Sequence, residues 1–318
     1  MDSFPVVVTE RSDEAQDVVG LCLEAPDGGD LPPWEPGAHL DVTLPSGLIR
    51  QFSLCGDPAD RTVYRVAVLR EQVSRGGSQE VHERVQPGTR LELRGPRNHF
   101  PLVEAEEYLL IAGGVGITPL LPMARMIAAR GVPWRMIYGG RRRDSMAFLD
   151  ELRELAGERL QIVPEDELGR PDIDGALSSR GPRTAVYCCG PEGLLRAVEE
   201  GCARLGISDY LHLERFSANS ALPRPSATGS DSFEVYLAKT GVTLVVPPDR
   251  SLLSVVREAV PDVPFSCEEG NCGTCETEVL EGIPEHRDEV LTEAEREAGD
   301  TMMICVGRSK SSRLVLNL

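Results

Sequence analysis

The sequence predicts a multidomain chain. An antiparallel β-barrel comes first, then an α/β domain with a parallel sheet, then a smaller α+β domain. Three observations carry this reading. The first hundred residues alternate apolar and polar positions in short runs broken by Gly and Pro. From Glu107 the grammar changes to apolar strand, glycine loop and helix. Beyond a Ser-, Ala- and Pro-rich stretch, three cysteines fall in one tight loop and a fourth lies far downstream. A length of 318 residues accommodates two or three domains.

In the first part, residues 6–8, 18–23, 39–44 and 64–69 read as strands, and Pro32-Pro33, Pro36-Gly37, Pro45-Ser46-Gly47 and Pro87-Gly88 as turns. Residues 77–85 read as a short helix with Ser78 as its N-cap. Just before it stands Gly76-Gly77-Ser78, a turn that aims free backbone N–H groups and a hydroxyl at one point, as a phosphate requires. Arg50, Phe52 and Ser53 form a second short motif: an aromatic ring to stack on a flat ligand beside a hydroxyl to bond its edge. Each is weak alone, because Gly-Gly turns are usually only turns.

In the middle part, residues 108–112 read as an apolar strand and residues 120–129 as a helix. Between them Gly113-Gly114-Val115-Gly116-Ile117-Thr118-Pro119 makes the strand–glycine–helix cradle of a pyrophosphate. A bare strand–helix turn is the alternative. Strands at 134–138, 160–163 and 184–188 and helices at 146–156 and 191–205 complete a doubly wound sheet. After the second strand, Asp144 suits a ribose 2′-hydroxyl, whereas Arg141, Arg142 and Arg143 suit a 2′-phosphate, so NADH and NADPH both remain open here.

The last part opens with strands at 233–238 and 242–246 around a Lys239-Thr240-Gly241 hairpin, then a helix at 252–260 beginning near Ser251. A strand follows at 277–281, a short helix should start near Leu291-Thr292, and a last strand covers 314–316. Cys267, Cys272, Cys275 and Cys305 have the spacing C-x4-C-x2-C-x29-C, that of plant-type [2Fe–2S] sites. Gly270 and Gly273 let backbone N–H groups approach the bridging sulfides. A structural zinc site would need a second short C-x2-C element. His286 is expected at the surface or in a turn, since a Rieske site needs two Cys-x-His pairs and the chain has none. Glu268, Glu269, Glu276 and Glu278 read as an acidic docking face or as plain solvated charge.

A net charge of −18 argues against nucleic acid and anionic membranes as partners. No continuous apolar run is long enough for a span, and no export signal is visible. Of nine cysteines, five remain outside the loop motif: Cys22, Cys55, Cys188, Cys189 and Cys202. An odd number without a framework indicates thiols in a reducing, cytoplasmic compartment.

Taken together, Arg50-x-Phe52-Ser53 and Gly76-Gly77-Ser78 resemble the flavin site of the ferredoxin–NADP reductase superfamily. Gly113 to Pro119, Cys189-Gly190-Pro191 and Glu214-Arg215-Phe216 resemble its pyridine-nucleotide half, and the last domain resembles the β-grasp fold of plant-type ferredoxins. The order of the parts resembles the phthalate dioxygenase reductase family, which includes vanillate O-demethylase reductases, over nearly the entire chain. The resemblance implies a flavin-binding barrel at 1–103, an NAD(H)-binding domain at 104–218, a linker at 219–231 and a [2Fe–2S] ferredoxin domain at 232–318. It implies FMN rather than FAD, and NADH rather than NADPH.

By position, the resemblance assigns the flavin to Arg50, Phe52, Ser53, Leu54, Val68, Arg70, Gly76, Gly77 and Ser78. It assigns the nucleotide to Gly113, Gly114, Gly116, Thr118, Arg141, Asp144, Cys189, Gly190, Pro191 and Phe216. Ser53, Cys189 and Phe216 would meet the reacting atoms. Phe52 replaces the usual tyrosine, which keeps stacking and loses a hydroxyl contact. The implied activity is electron transfer from NADH through FMN to the cluster, and on to a Rieske-type dioxygenase or O-demethylase. A reductase for a cytochrome P450 and a non-catalytic redox sensor are the alternatives. The chain is expected to be a monomer, with its cluster loop facing the flavin edge on one side and Glu268 and Glu269 open to a partner on the other.

Overall fold

Alternating apolar residues turn Val6, Val8, Leu91 and Leu93 into one core with Leu40 and Val42, and this builds the first sheet. Its strands are β1 (Phe4–Ala15), β2 (Val18–Glu24), β3 (Ala38–Thr43), β4 (Ile49–Ser53), β5 (Val63–Leu69) and β6 (Arg90–Asn98), with helix α1 (Gly77–Arg84) between the last two. They pair antiparallel in the order β4-β3-β6-β1-β2-β5. A bridge between Leu54 and Val66, and Cys55 N–H donating to the Arg65 carbonyl at 2.8 Å, join the two edges, so the sheet closes as a barrel. The computed structural model describes residues 3–71, 76–216, 231–265, 268, 270, 273–288 and 290–318. The chain divides into two units, Met1–Arg215 and Phe216–Leu318.

The parallel sheet shares the first unit with the barrel. It runs through β7 (Glu107–Gly113), α2 (Ile117–Ala129), β8 (Trp134–Gly140), α3 (Leu149–Ala156), β9 (Leu160–Pro164), α4 (Glu165–Leu168), α5 (Ile173–Ser178), β10 (Thr184–Cys189), α6 (Glu192–Leu205) and β11 (Leu211–Glu214). The strand order β11-β10-β7-β8-β9 reverses direction between β7 and β10, and this is where such sheets hold ligands. Successive residues of β7 serve opposite faces. Tyr108, Leu110 and Ala112 pack with α2 and α3, and Leu109 and Ile111 pack with α5 and α6. Polar contacts join the barrel to the helices of the parallel sheet: Arg65 on β5 reaches Glu151 on α3 at 3.0 Å, and Arg125 on α2 donates to the Cys55 and Gly56 carbonyls at 3.1 and 2.6 Å.

The second unit has its own core around Val235, Leu237, Val256, Leu314 and Leu316. Its elements are β12 (Phe233–Leu237), β13 (Val242–Val246), α7 (Leu252–Ala259), β14 (Glu276–Glu281), β15 (Pro284–Glu285), α8 (Glu293–Ala298), β16 (Thr301–Met303), β17 (Arg308–Ser309) and β18 (Arg313–Leu316). The main sheet is β13-β12-β18-β14-β16, with the first and last strands of the unit parallel at its centre, and β15 pairs with β17 apart from it. Ser251 caps α7 by accepting from Ser254 N–H, and Thr292 and Glu295 form a capping box on α8.

Several expectations change. Ser78 is not the N-cap of α1: Gly76 takes that place at φ +89°, and Ser78 lies inside the first turn, where its hydroxyl accepts from Glu71 N–H at 3.2 Å. The helix expected from 146 starts at Leu149, because Phe148 is left-handed at φ +60° and Met146 and Ala147 fill the core. Strands β4, β6 and β11 appear where only motifs or loops were read. His286 is not a surface residue: its side chain is 9% exposed, and both ring nitrogens are buried without a hydrogen bond among the described residues.

Candidate functional site

The flavin motif falls on β4. Arg50 and Phe52 share one side of the strand, and Ser53 shares the other with His39. Arg50 lies across the first turn of α1, where a Cβ on Gly77 would stand 2.2 Å from its Nε atom. The left-handed Gly76 opens the helix beside it. Bare backbone and a guanidinium thus converge at one helix N-terminus, which fits a phosphate. Leu54 and Val68 have their side chains in the barrel core, so only their backbone can meet a ligand. Arg70 pairs with Glu83 at 3.1 Å.

The second cradle lies at the carboxyl ends of β7 and β10. A Cβ on Gly116 would sit 2.3 Å from the Cys189 carbonyl oxygen, and one on Gly190 would sit 2.9 Å from Gly113 Cα. Two loops therefore meet backbone to backbone. Gly114 is left-handed at φ +54° with nothing within 4 Å of its Cβ position, so space stays open there. The loop is pinned by Thr118 Oγ1 donating to the Val115 carbonyl at 2.9 Å and Tyr138 Oη donating to the Gly114 carbonyl at 3.1 Å. Pro191 is the N-cap residue of α6. These features fit a pyrophosphate lying over the α2 N-terminus.

Cys189 and Glu214 stand opposite each other in the parallel pairing of β10 and β11, with Sγ 3.8 Å from Oε2. Burial pushes the Cys189 thiol well up and raises the Glu214 carboxyl to about 8. Glu214 lies in the sequence motif, where it carries no assigned role; its burial comes from strand register. On the adenosine side, Asp144 pairs with Arg142 at 3.4 Å and Arg143 with Glu167 at 2.7 Å, while Arg141 is exposed. Phe216 opens the second unit and is 47% exposed.

In the second unit, Cys275 and Cys305 are buried. The β14–β16 pairing brings their segments together, and Ile304 N–H donates to the Cys275 carbonyl at 3.4 Å. Cys267 and Cys272 lie outside the described residues, as does Glu269. Among the described residues no group of three metal-ligating side chains gathers. Gly270 and Gly273 have φ of +78° and +73°, conformations that favour glycine. A Cβ on Gly270 would stand 2.7 Å from Val306 Cγ2. Two buried thiols on a strand frame, beside left-handed glycines, fit one edge of an iron–sulfur site. Glu268, Glu276 and Glu278 are exposed.

Comparison with known proteins agrees with both halves. Residues 235–310 match the 2Fe-2S iron-sulfur cluster binding domain, and residues 110–200 match the oxidoreductase NAD-binding domain. The chain is 41% identical over 319 residues to vanillate O-demethylase oxidoreductase of Pseudomonas sp. (strain HR199 / DSM 7063), covering 98% of this chain and 99% of that protein. It is similar to the structure of phthalate dioxygenase reductase, described as modular for electron transfer from pyridine nucleotides to [2Fe-2S]. That match has a TM-score of 0.71 and 37% identity, over 99% of this chain and 98% of the other. An intact type IV self-sufficient cytochrome P450 monooxygenase matches with a TM-score of 0.89 and 42% identity, over 99% of this chain and 41% of that one.

Proposed function

The chain belongs to the phthalate dioxygenase reductase family of oxidoreductases, and from that premise we propose that it carries electrons from NADH through FMN to a [2Fe–2S] cluster and on to a terminal oxygenase. The observation that carries the reading is one chain with a glycine cradle at its strand ends and a buried pair of cysteines, Cys275 and Cys305, in a cluster-binding domain. Residues 1–103 hold the flavin, 104–218 the nucleotide and 232–318 the cluster, with 219–231 as linker.

Flavin, when bound, accepts a hydride and delivers electrons singly, which a one-electron cluster requires. The residues divide the work. Arg50 and the Gly76–Ser78 turn hold phosphate, Phe52 stacks on the ring and Ser53 serves its reactive edge. Leu54, Val68 and Arg70 border the same ligand. Gly113, Gly114, Gly116 and Thr118 seat the pyrophosphate, while Cys189, Gly190, Pro191 and Phe216 attend the nicotinamide. Asp144 accepts from the 2′-hydroxyl and so favours NADH, with Arg141 beside it. Cys267, Cys272, Cys275 and Cys305 ligate iron. Glu268, Glu276 and Glu278 offer an acidic face to the acceptor.

The protein acts as a monomer in the cytoplasm; among the described residues Cys22, Cys55, Cys188, Cys189 and Cys202 are free thiols, in keeping with a reducing compartment. No helix among the described residues is long and apolar enough to cross a membrane. A cytochrome P450 acceptor is the second reading, favoured by the match to a self-sufficient P450 monooxygenase.

The test is an anaerobic NADH titration followed by visible spectroscopy, with mass measurement of acid-released flavin. Flavin and iron–sulfur bands that bleach together, and release of FMN, are expected. Bands that fail to bleach would sink the reductase reading.

A further inference from the structure

A hydride is one proton and two electrons. Each NADH oxidised by one-electron acceptors therefore leaves one proton that has to reach water. The barrel contains a polar row that begins at Ser53. His39 stands directly opposite Ser53 in the β3–β4 register. The neighbouring bond from Leu54 N–H to the Ala38 carbonyl makes this a non-hydrogen-bonded pair, in which side chains approach most closely. His39 is 7% exposed and Ser53 6%, and His39 Nε2 is buried with no hydrogen bond among the described residues. Leaving such an atom without a partner is destabilising, which is unexpected at a position without a role.

The ring also neighbours a second imidazole. His39 lies 5.5 Å from His99, ring centroid to centroid, and His99 is exposed. The charged groups facing His39 are Arg97 and His99; Arg97 is itself paired with Asp41, which also accepts from Gln51 at 2.9 Å. Burial, then the Arg97 and His99 charges, lower the His39 pKa to about 3. The ring therefore stays neutral at ordinary pH. A neutral imidazole takes a proton on one nitrogen as it gives one from the other, and stores none.

We propose that His39 and His99 carry the proton left by hydride oxidation from the Ser53 face of the barrel to bulk water, His39 as the buried relay and His99 as its exposed end. The inference rests on the flavin reading of Ser53. The balance is NADH plus two oxidised acceptors giving NAD⁺, one H⁺ and two reduced acceptors. The proton enters one ring nitrogen of His39, another leaves from the second, and ring reorientation restores the starting tautomer.

The experiment uses the flavin-loaded full chain in weak buffer with a pH-indicator dye, mixed rapidly with NADH and cytochrome c. Dye absorbance reads protons and cytochrome absorbance reads electrons. In H39F the flavin spectrum and its bleaching by NADH persist, while proton release slows by roughly 100-fold or more, the scale of a lost acid–base group. H99F shows a smaller lag, and added imidazole restores the rate in H39A. H39Q, which keeps a polar side chain but cannot relay, replaces H39F if that variant does not fold. Proton release that keeps pace in flavin-loaded H39F or H39Q and in H99F overturns the relay. A wild-type chain that binds no flavin overturns the reading of Ser53 instead.

Discussion

A methyl group on Gly116 would stand 2.3 Å from the Cys189 carbonyl oxygen, whereas an oxygen in place of the Cys305 sulfur would hardly disturb packing. Yet both changes should impair function. The nucleotide end in the first unit is made of backbone, with Gly113, Gly116 and Gly190 meeting where side chains would not fit. The cluster end in the second unit is made of side chains, thiols buried beside the β14–β16 pairing. One site is specified by absent atoms and the other by one kind of atom. Sterics should break the first, and ligand chemistry the second.

The largest expected effect tests the thiol side. C305S should lose the cluster, seen as lost iron and lost cytochrome c reduction. Partners that merely support metal ligands already cost up to about 100-fold, so loss of a direct ligand should exceed that. NADH-driven bleaching of the flavin should persist, because the first unit is untouched. A C305S protein that retains iron and cytochrome c reduction would remove Cys305 from the ligand set.

The backbone side is sharpened by a pair of neighbours. G116A forces a methyl into a carbonyl, and overpacking of this kind costs about 1–3 kcal/mol. It should also raise the KM for NADH by roughly tenfold, the equivalent of about 1.4 kcal/mol. G114A meets nothing within 4 Å but keeps a left-handed φ, so it should cost only the conformational strain of about 1–2 kcal/mol. Urea midpoints and NADH kinetics of the two variants check the order. Equal KM values would mean that the close approach at Gly116 does not shape the cradle.

These two sites were legible in the sequence because each is local. A glycine loop between strand and helix, and cysteines at C-x4-C-x2-C, announce themselves within a dozen residues. Strand β6 was harder. Leu91 and Leu93 face the core, but Arg90, Glu92 and Arg94 between them give a charged run that reads as loop. Strand β11 is short and only half-buried. His39 carries no local signal at all: its meaning comes from standing opposite Ser53, a register set by the whole barrel. His286 was misplaced for a related reason, since charged neighbours suggest solvent while the fold buries the ring. The segment bearing Cys267 and Cys272 was read from spacing alone.

The smallest effect probes the carboxyl that stands beside Cys189 at the backbone-built end. Burial raises the Glu214 carboxyl from the usual 4.5 to about 8, so the native state holds a proton that the unfolded chain releases. The native state then binds more protons across that interval. Stability should fall as pH rises from about 4.5 to about 8 and level off on either side. Glu214 is only partly enclosed, so water trims the size of the fall. E214Q cannot ionise, and its urea midpoint should lose that contribution to the slope, approaching wild type below the interval and exceeding it above. Parallel pH profiles for the two proteins would mean that Glu214 is already ionised in the fold. The nucleotide end would then rest on backbone alone, without a protonated carboxyl beside Cys189.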